Sequence, residues 1–271
     1  AMLGYGFGTH APGIRDFKAA ITAGHYLLYA HGLAVQVFRE MNLPGQVGLA
    51  LNLTPYYPHS DSAEDLAVAR RMDGITNRWY LDAALKGKYP EDIVEWYNER
   101  KVMPDLPADD LKEIAQPIDF LGINYYTRGI VGHSDEDPCC VKEYPPEGPV
   151  TDMNWEVYPQ GLYDLLTRLT RDYGAIPLYI TENGAAYPDQ AENGRVRDKA
   201  RIDYLQAHFD AAARAIESGV PLRGYYIWSL LDNFEWAFGY SKRFGIVYVD
   251  YETQKRIIKD SGLWYRDFLR S

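Results

Sequence analysis

The segment 178–185 pairs an apolar run with a carboxylate that could do chemistry. It reads Leu-Tyr-Ile-Thr-Glu-Asn-Gly-Ala, so that Glu182 follows directly on aromatic, aliphatic and β-branched residues. This order is typical of a buried parallel strand whose C-terminal end delivers an acid into a pocket. A strand end whose glutamate merely faces solvent has the same pattern. These eight residues alone therefore leave both interpretations open.

Three other strand-like segments also end in polar or aromatic side chains. They provide Asn52, Asn124 with Tyr126, and Trp228. Because active sites of parallel α/β folds lie at the carboxyl ends of the strands, we expect these residues to lie near Glu182. The 23 tyrosines and 6 tryptophans suit core packing, and they also suit stacking against sugars, whose CH faces are apolar and whose rims are polar.

The elements that must position these residues are strands alternating with helices. The predicted strands are Val47 to Leu53, Ile118 to Tyr126, Leu178 to Thr181, and Arg223 to Leu230. Apolar spacing and capping residues predict helices over Asp16 to Glu40, Ser62 to Leu85, Gly161 to Tyr173, Lys199 to Ser218, and Asp260 to Leu269. We predict an irregular loop from Ser134 to Trp155. The alternation predicts an α/β chain with parallel strands.

The positions of the functional side chains distinguish between two parallel architectures. A doubly wound sheet collects such residues near a single crevice, whereas every strand of a (β/α)8 barrel can contribute at its C-terminal face. Side chains at all four strand ends favour the barrel. Closure of that barrel needs eight strands, and only about four βα units are visible, which predicts half a barrel. No repeat or linker divides the chain, so we expect a single partial domain over residues 1–271.

Composition narrows the classes of partner. The formal charge of −10 argues against a nucleic-acid or anionic-membrane partner, since both need clustered Lys and Arg. No apolar run approaches a membrane span of ~18–20 residues, and no signal pattern is visible. The two cysteines, Cys139 and Cys140, are adjacent and poorly placed for a disulfide, which favours a cytoplasmic location. The six histidines show no metal-ligand spacing, and we predict no metal and no cofactor.

Longer motifs resemble those of family 1 glycoside hydrolases, of the β-glucosidase and β-galactosidase type. They are GTHAPG at 8–13, FLGINYY at 120–126, YITENG at 179–184, GYYIWSLLDNFEW at 224–236, and KRFGIVYVD at 242–250. The resemblance covers nearly the whole chain. It implies the C-terminal half of a (β/α)8 TIM barrel and the retaining hydrolysis of β-glycosides.

The resemblance also implies a role for each matching residue. Glu182 corresponds to the nucleophile, and Tyr126 to the phenol that orients it. A second group corresponds to residues that hold or flank the sugar: Glu235, Trp236, Trp228, Phe244, Trp155 at the leaving-group side, and Asn124 and Asn52 with less defined roles.

One part of the family pattern is missing. The general acid/base of the family is the glutamate of an Asn-Glu-Pro motif, whereas the only Asn-Glu pair here, Asn98-Glu99, is followed by Arg100. The first-strand glutamine and the His-Trp pair that bind sugar in the family are absent as well. We therefore expect the chain to begin just after the acid/base and to carry one catalytic carboxylate of two.

Glu235 is an alternative second carboxylate, because it too lies beyond a strand end. It stands five residues past Leu230, between Phe234 and Trp236, which suits a sugar-binding loop better. We therefore favour an external proton donor and expect weak or no activity from the chain alone.

Two classes of function follow. The first is the C-terminal portion of a retaining β-glucosidase that acts on a β-glucoside or related small saccharide. The second is a non-catalytic half-barrel module with residual sugar binding or self-association. A half-barrel leaves two strand edges unpaired, so we expect as partner the missing N-terminal barrel half or a second copy of the chain.

Overall fold

The computed structural model describes residues 1–136 and 140–270, in two compact units. The first unit comprises Ala1–Gly122 and Gly129–Tyr144, and the second comprises Ile123–Arg128 and Pro145–Ser271. That residues 1–271 form a single domain stays a prediction.

The first unit is mainly helical. Its elements are a π-helical turn at Met2–Gly6, α1 (Phe17–Glu40), β1 (Gly48–Asn52), β2 (Tyr56–Pro58), α2 (Ala63–Asp73), α3 (Trp79–Lys86), α4 (Glu91–Glu99), α5 (Asp110–Ile114), the start of β3 (Phe120–Asn124), β4 (Gly129–Gly132) and β5 (Lys142–Glu143). Helix α1 begins where the Asp16 carboxylate accepts a hydrogen bond from the Ala19 amide, at 3.1 Å. Its buried face packs with Trp79, Tyr89 and Tyr97 into an aromatic core.

The second unit contains the C-terminal end of β3 and the later strands. Its elements are α6 (Pro159–Tyr173), β6 (Leu178–Asn183), β7 (Ala191–Glu192), β8 (Arg195–Val196), α7 (Lys199–Glu217), β9 (Leu222–Ile227), a short 3-10 helix at Trp236–Phe238, β10 (Val247–Val249), β11 (Arg256–Ile258) and α8 (Asp260–Phe268). Strands β6 and β9 pair in parallel, with Ile180 opposite Tyr225. The order of the main sheet is β1-β3-β6-β9.

The main elements match the expectations from sequence. The four predicted strands are β1, β3, β6 and β9, and the predictions for α1, α6, α7 and α8 are confirmed to within a few residues. Gly219, just past α7, has a φ of +92°, the left-handed conformation expected of a helix stop. The sequence did not predict α4, α5 or the β10–β11 hairpin.

The helix predicted from Ser62 to Leu85 is confirmed in its extent, but it is not α-helical throughout. A π-helical segment, Gly74–Arg78, separates α2 from α3. The buried Asn77 side chain bonds both backbone groups of Thr54, and a Cβ at Gly74 would lie 2.4 Å from the Ile93 side chain. These long-range contacts favour the local bulge, and a helical period in the sequence does not reveal them.

Two segments without a predicted helix or strand also contain regular structure. The segment predicted as a loop from Ser134 to Trp155 includes β5, which pairs antiparallel with β4. The glycine-rich start of the chain forms the π-helical turn Met2–Gly6. Cys140 is a free thiol, whereas Cys139 lies outside the described residues. No helix among residues 1–136 and 140–270 is both long and apolar enough to cross a membrane.

A buried cluster of six charged groups holds the second unit together. The ammonium of Lys259, a residue with 0% exposure, lies 2.5 Å from an oxygen of Asp189 and 2.8 Å from one of Asp232. Arg201, Asp198 and Arg243 complete the cluster with further ion pairs. Three cations balance three carboxylates. Burial lowers the pKa of Lys259, although both carboxylates oppose this change.

We predict that Lys259→Ala lowers the free energy of unfolding by about 3–5 kcal/mol, because it leaves two buried carboxylates without their shared cation. Lys199→Ala is the matched control, since Lys199 pairs with Asp203 on the exposed surface of α7. It should cost only about 0.3–0.5 kcal/mol. Urea unfolding of both variants measures the difference. Equal losses of unfolding free energy in the two variants would show that the buried cluster contributes no more to stability than an exposed ion pair.

Candidate active site

Glu182 lies near the end of β6, where the buried run of the strand stops. Leu178 and Ile180 are 2% and 0% exposed, while Glu182 is half-buried. Its Oε2 atom accepts a hydrogen bond from the Tyr126 hydroxyl at 2.5 Å. Burial raises the pKa of Tyr126 well above its usual range, and the bond to Glu182 raises it further. The phenol therefore stays protonated and remains a donor to the carboxylate.

A register shift between Ile180 and Asn183, relative to β9, helps to aim Glu182. Adjacent side chains of a regular strand point to opposite faces. Here the neighbouring Thr181 donates to the Asn124 side-chain oxygen at 2.6 Å, while Glu182 accepts from Tyr126. Both residues thus contact side chains at the end of β3. Such irregularities are frequent next to active sites, where they re-aim a side chain.

Glu235 is a second carboxylate beside Glu182. It is half-buried and hydrogen-bonds to the Trp228 side chain. Burial raises the pKa of Glu235, and the negative charge of Glu182 raises it further. A raised pKa is also what a proton donor needs, so this alone does not separate that role from sugar binding. The bond to Trp228 favours the second role.

Aromatic rings surround the Tyr126–Glu182 pair. The Tyr126 ring lies 5.3 Å from that of Trp155 and 6.2 Å from that of Phe244, measured between centroids. Phe244 is 3% exposed and Trp228 is half-buried, whereas Trp236 is 67% exposed. Half-buried rings beside carboxylates fit a sugar, because the rings can contact its CH face while the acids bind its hydroxyls.

The loop that carries Glu235 is anchored to the buried charge cluster. Asp232 accepts hydrogen bonds from the Gly245 amide at 3.0 Å and the Val249 amide at 3.3 Å, besides its bonds to Lys259 and Arg243. The Glu235 amide donates to the Gly239 carbonyl at 2.7 Å. The charge cluster therefore helps to position a carboxylate of the pocket.

A second anchor holds the segment around Trp155. The Arg128 guanidinium bonds Glu156 at 2.8 Å and lies 3.8 Å from the centroid of the Tyr158 ring. Burial lowers the pKa of Arg128, but its ion pairs with Glu156 and Glu147 outweigh this effect and raise it. No local pattern predicts the contact of Arg128 with Glu156, because the partners are 28 residues apart.

The structure brings most of the predicted site residues into the second unit. These are Glu182, Tyr126, Glu235, Trp228, Trp155, Phe244, Trp236 and Asn124. Asn52 is the last residue of β1 in the first unit and is exposed. Sequence reasoning gave no role to Asn183, although a polar residue inside a buried run was the available signal.

Metal ligation finds no support in the described part of the chain. Residues 1–136 and 140–270 contain no group of three or more His, Cys, Asp or Glu side chains placed to hold a metal. His25 is fully buried on α1 and bonds the Tyr89 hydroxyl at 2.7 Å and Asp110 at 2.9 Å. These contacts give His25 a structural role.

We predict that Glu235→Gln unfolds at a higher temperature than the wild type at pH 7, and that this advantage of the variant is absent at pH 4. The raised pKa means that the folded wild-type protein is penalised once the carboxyl ionises, whereas below its ordinary pKa the penalty is absent. The variant lacks this penalty at every pH. The difference between variant and wild type should therefore grow as the pH rises from 4 to 7.

Calorimetry of wild type and variant between pH 4 and 7.5 measures this difference, and Glu192→Gln, at an exposed carboxylate of β7, is the control. A gap that stays constant with pH would contradict the raised pKa.

Known proteins share this fold over the whole chain. A family model, Glycosyl hydrolase family 1, matches residues 1–271. Beta-glucosidase A of Acetivibrio thermocellus is 47% identical over 100% of this chain and 61% of its own length. The family 1 b-glucosidase from Thermotoga maritima superposes with a TM-score of 0.95 at 47% identity, over 100% of this chain and 61% of that one. The AHE enzyme from Alicyclobacillus herbarius gives 0.97 at 47%, with the same coverage.

The chain thus spans about three fifths of the length of these relatives, 61% in each case. Its α/β architecture and four-stranded sheet correspond to part of their (β/α)8 barrel, and the predicted fold class is confirmed. The family model and the curated relatives agree. The chain belongs to glycosyl hydrolase family 1.

Proposed function

We propose that this chain supplies the nucleophile and part of the sugar-binding wall for retaining hydrolysis of β-glucosides. The observation that carries the proposal is the hydrogen bond from Tyr126 to Glu182, beside Glu235 and a group of aromatic rings. The relatives support the substrate class, because they include beta-glucosidases. The Thermotoga maritima enzyme has been solved in complex with isofagomine lactam, glucoimidazole and deoxynojirimycin.

The geometry suits nucleophilic attack by Glu182. The Tyr126 hydroxyl engages Oε2, which orients the carboxylate and leaves Oε1 for the anomeric carbon. As the bond from Oε1 to that carbon forms, the bond to the leaving oxygen breaks and its electron pair departs with that oxygen. A general acid protonates the leaving oxygen, and water then hydrolyses the glycosyl ester with inversion at each step. The configuration is therefore retained.

We place the general acid outside these 271 residues. The sequence contains no Asn-Glu-Pro motif, and Glu235 is hydrogen-bonded to Trp228 as a sugar-binding residue would be. Loss of general acid catalysis typically costs about 10²–10⁴-fold, and the cost is greatest for poor leaving groups. The chain alone should therefore form an intermediate from activated glycosides and hardly turn over natural ones.

Two substrates with different leaving groups test this division of roles. A 2-deoxy-2-fluoro glucoside with a good leaving group should add one glycosyl unit to the chain, located on Glu182 by peptide mass mapping. Cellobiose turnover should be at or near background. Glu182→Gln should abolish labelling, while Glu192→Gln, an exposed carboxylate, should not change it.

Two outcomes would contradict the proposal. Robust cellobiose hydrolysis would place a proton donor within the chain, and its loss in Glu235→Gln would assign that role to Glu235. A folded chain that binds a glucose analogue without labelling would favour the second candidate, a non-catalytic sugar-binding module. The observation that supports this second candidate is a group of exposed aromatic rings. Phe234, Trp236 and Tyr240 are 57%, 67% and 58% exposed.

We also propose that other polypeptide covers the edge of β9. This strand is last in the sheet order, and Tyr226 and Leu230 are 59% and 66% exposed. A mainly apolar groove of about 390 Å³, lined by residues of α7, β9 and α8, lies alongside. Unpaired edges with apolar neighbours favour association. The occupant is the N-terminal barrel half of a longer protein or a second copy of this chain.

Light scattering of the purified chain tests the second occupant. Self-association predicts a mass of about 62 kDa, twice 30.9 kDa. A lysine at the edge, Tyr226→Lys, should lower this mass to that of one chain, because a charge blocks strand pairing. Leu27→Lys, at an exposed position of α1, should leave the mass unchanged. A wild-type mass near 31 kDa would count against self-association and leave the N-terminal half as the partner.

A further inference from the structure

Asn183, the residue directly after Glu182, makes an unusual set of buried contacts. It is 0% exposed, and its side-chain nitrogen donates to the Tyr125 carbonyl at 2.8 Å and to the Tyr204 hydroxyl at 2.9 Å. Its side-chain oxygen accepts from the Tyr225 hydroxyl. Both amide hydrogens and the oxygen are therefore engaged. One side chain connects β6 to the end of β3, to β9 and to helix α7.

These contacts converge on the two partners of the catalytic hydrogen bond. The Tyr125 amide donates to the Glu182 carbonyl at 2.9 Å, and the Tyr204 hydroxyl donates to the Tyr126 carbonyl at 3.3 Å. The backbone on both sides of the Tyr126–Glu182 bond is thus tied to the Asn183 amide, directly or through one phenol. A shift of this amide would move the phenol relative to the carboxylate.

Tyr204, Tyr225 and His208, which lie in and beside this network, each keep one protonation state near pH 7. Burial raises the pKa of Tyr204 and of Tyr225 above the usual range for a phenol, and it lowers the pKa of His208 to about 4. His208 is therefore neutral near pH 7. Its ring stacks on Tyr204 at 4.0 Å, and its Nδ1 donates to the Tyr204 carbonyl at 2.7 Å. The Asn183 amide has all of its hydrogen bonds made, and a buried amide satisfied in this way favours a single geometry.

We infer that Asn183 is the positioning residue of the active site: its amide joins the ends of β6 and β3 and thereby fixes the Tyr126 hydroxyl on Glu182. It contacts no substrate and acts through Tyr125, Tyr126 and Tyr204. The catalytic part of this inference rests on the proposed function, whereas the geometric part does not.

The geometric part is tested by NMR of the whole chain with tyrosines labelled at the ring carbon that bears the hydroxyl. Tyr126→Phe identifies the Tyr126 signal, which should be displaced from that of an exposed residue such as Tyr226. In Asn183→Ala and in Tyr204→Phe, the chemical shift of Tyr126 should move at least halfway towards that of the exposed Tyr226. Tyr163→Phe removes a phenol of α6 that bonds Ser218, outside the network, and should leave it in place.

The catalytic part is tested by the rate of labelling with the 2-deoxy-2-fluoro glucoside. Displacement of reacting groups by about 1 Å can cost about 10²-fold, so we expect the labelling rate constant to fall by about 10–10²-fold in both network variants, at unchanged affinity for glucose. A purely structural role would lower affinity and rate together or leave both unchanged.

The possible failures are distinguishable. An unlabelled wild-type chain with a displaced Tyr126 signal would overturn the proposed function and leave the positioning geometry standing. If Asn183→Ala does not fold, Tyr204→Phe decides alone, because it removes one hydroxyl from a packed ring. A Tyr126 signal that stays at its wild-type position in a folded network variant would overturn the inference.

Discussion

The hydrogen bond between the Tyr126 hydroxyl and the Glu182 carboxylate is the interaction on which the site depends. It joins the ends of two neighbouring strands and orients a carboxylate that is only half-buried. A strongly raised pKa keeps the phenol protonated, so the bond has one polarity at all physiological pH values. The carboxylate then has one oxygen engaged and one available, which is what attack on an anomeric carbon requires.

Two buried polar systems help to hold the residues of the site in place. The charge cluster around Lys259 anchors the loop that carries Glu235, through Asp232. The uncharged network around Asn183 ties the backbone beside Tyr126 and Glu182. The central residues of the two systems, Lys259 and Asn183, are 0% exposed, where an unpartnered polar group is costly.

The features that followed from sequence were local patterns. The apolar run before Glu182 predicted β6, and the same pattern predicted the strand that ends near Tyr126, because buried parallel strands are apolar on both faces. The π-helical break at Gly74 and the contacts of Asn183 were not predictable in this way. They depend on partners that are distant in sequence, such as Thr54 and Tyr204, and only folding brings these together.

The most direct measurement is a crystal structure of the chain after reaction with the 2-deoxy-2-fluoro glucoside. The account predicts continuous density from the Glu182 carboxylate to the anomeric carbon, with the Tyr126 hydroxyl in contact and Glu235 bonded to sugar hydroxyls. Density joining the sugar to Glu235, or a Glu182 side chain turned away from Tyr126 into solvent, would contradict it.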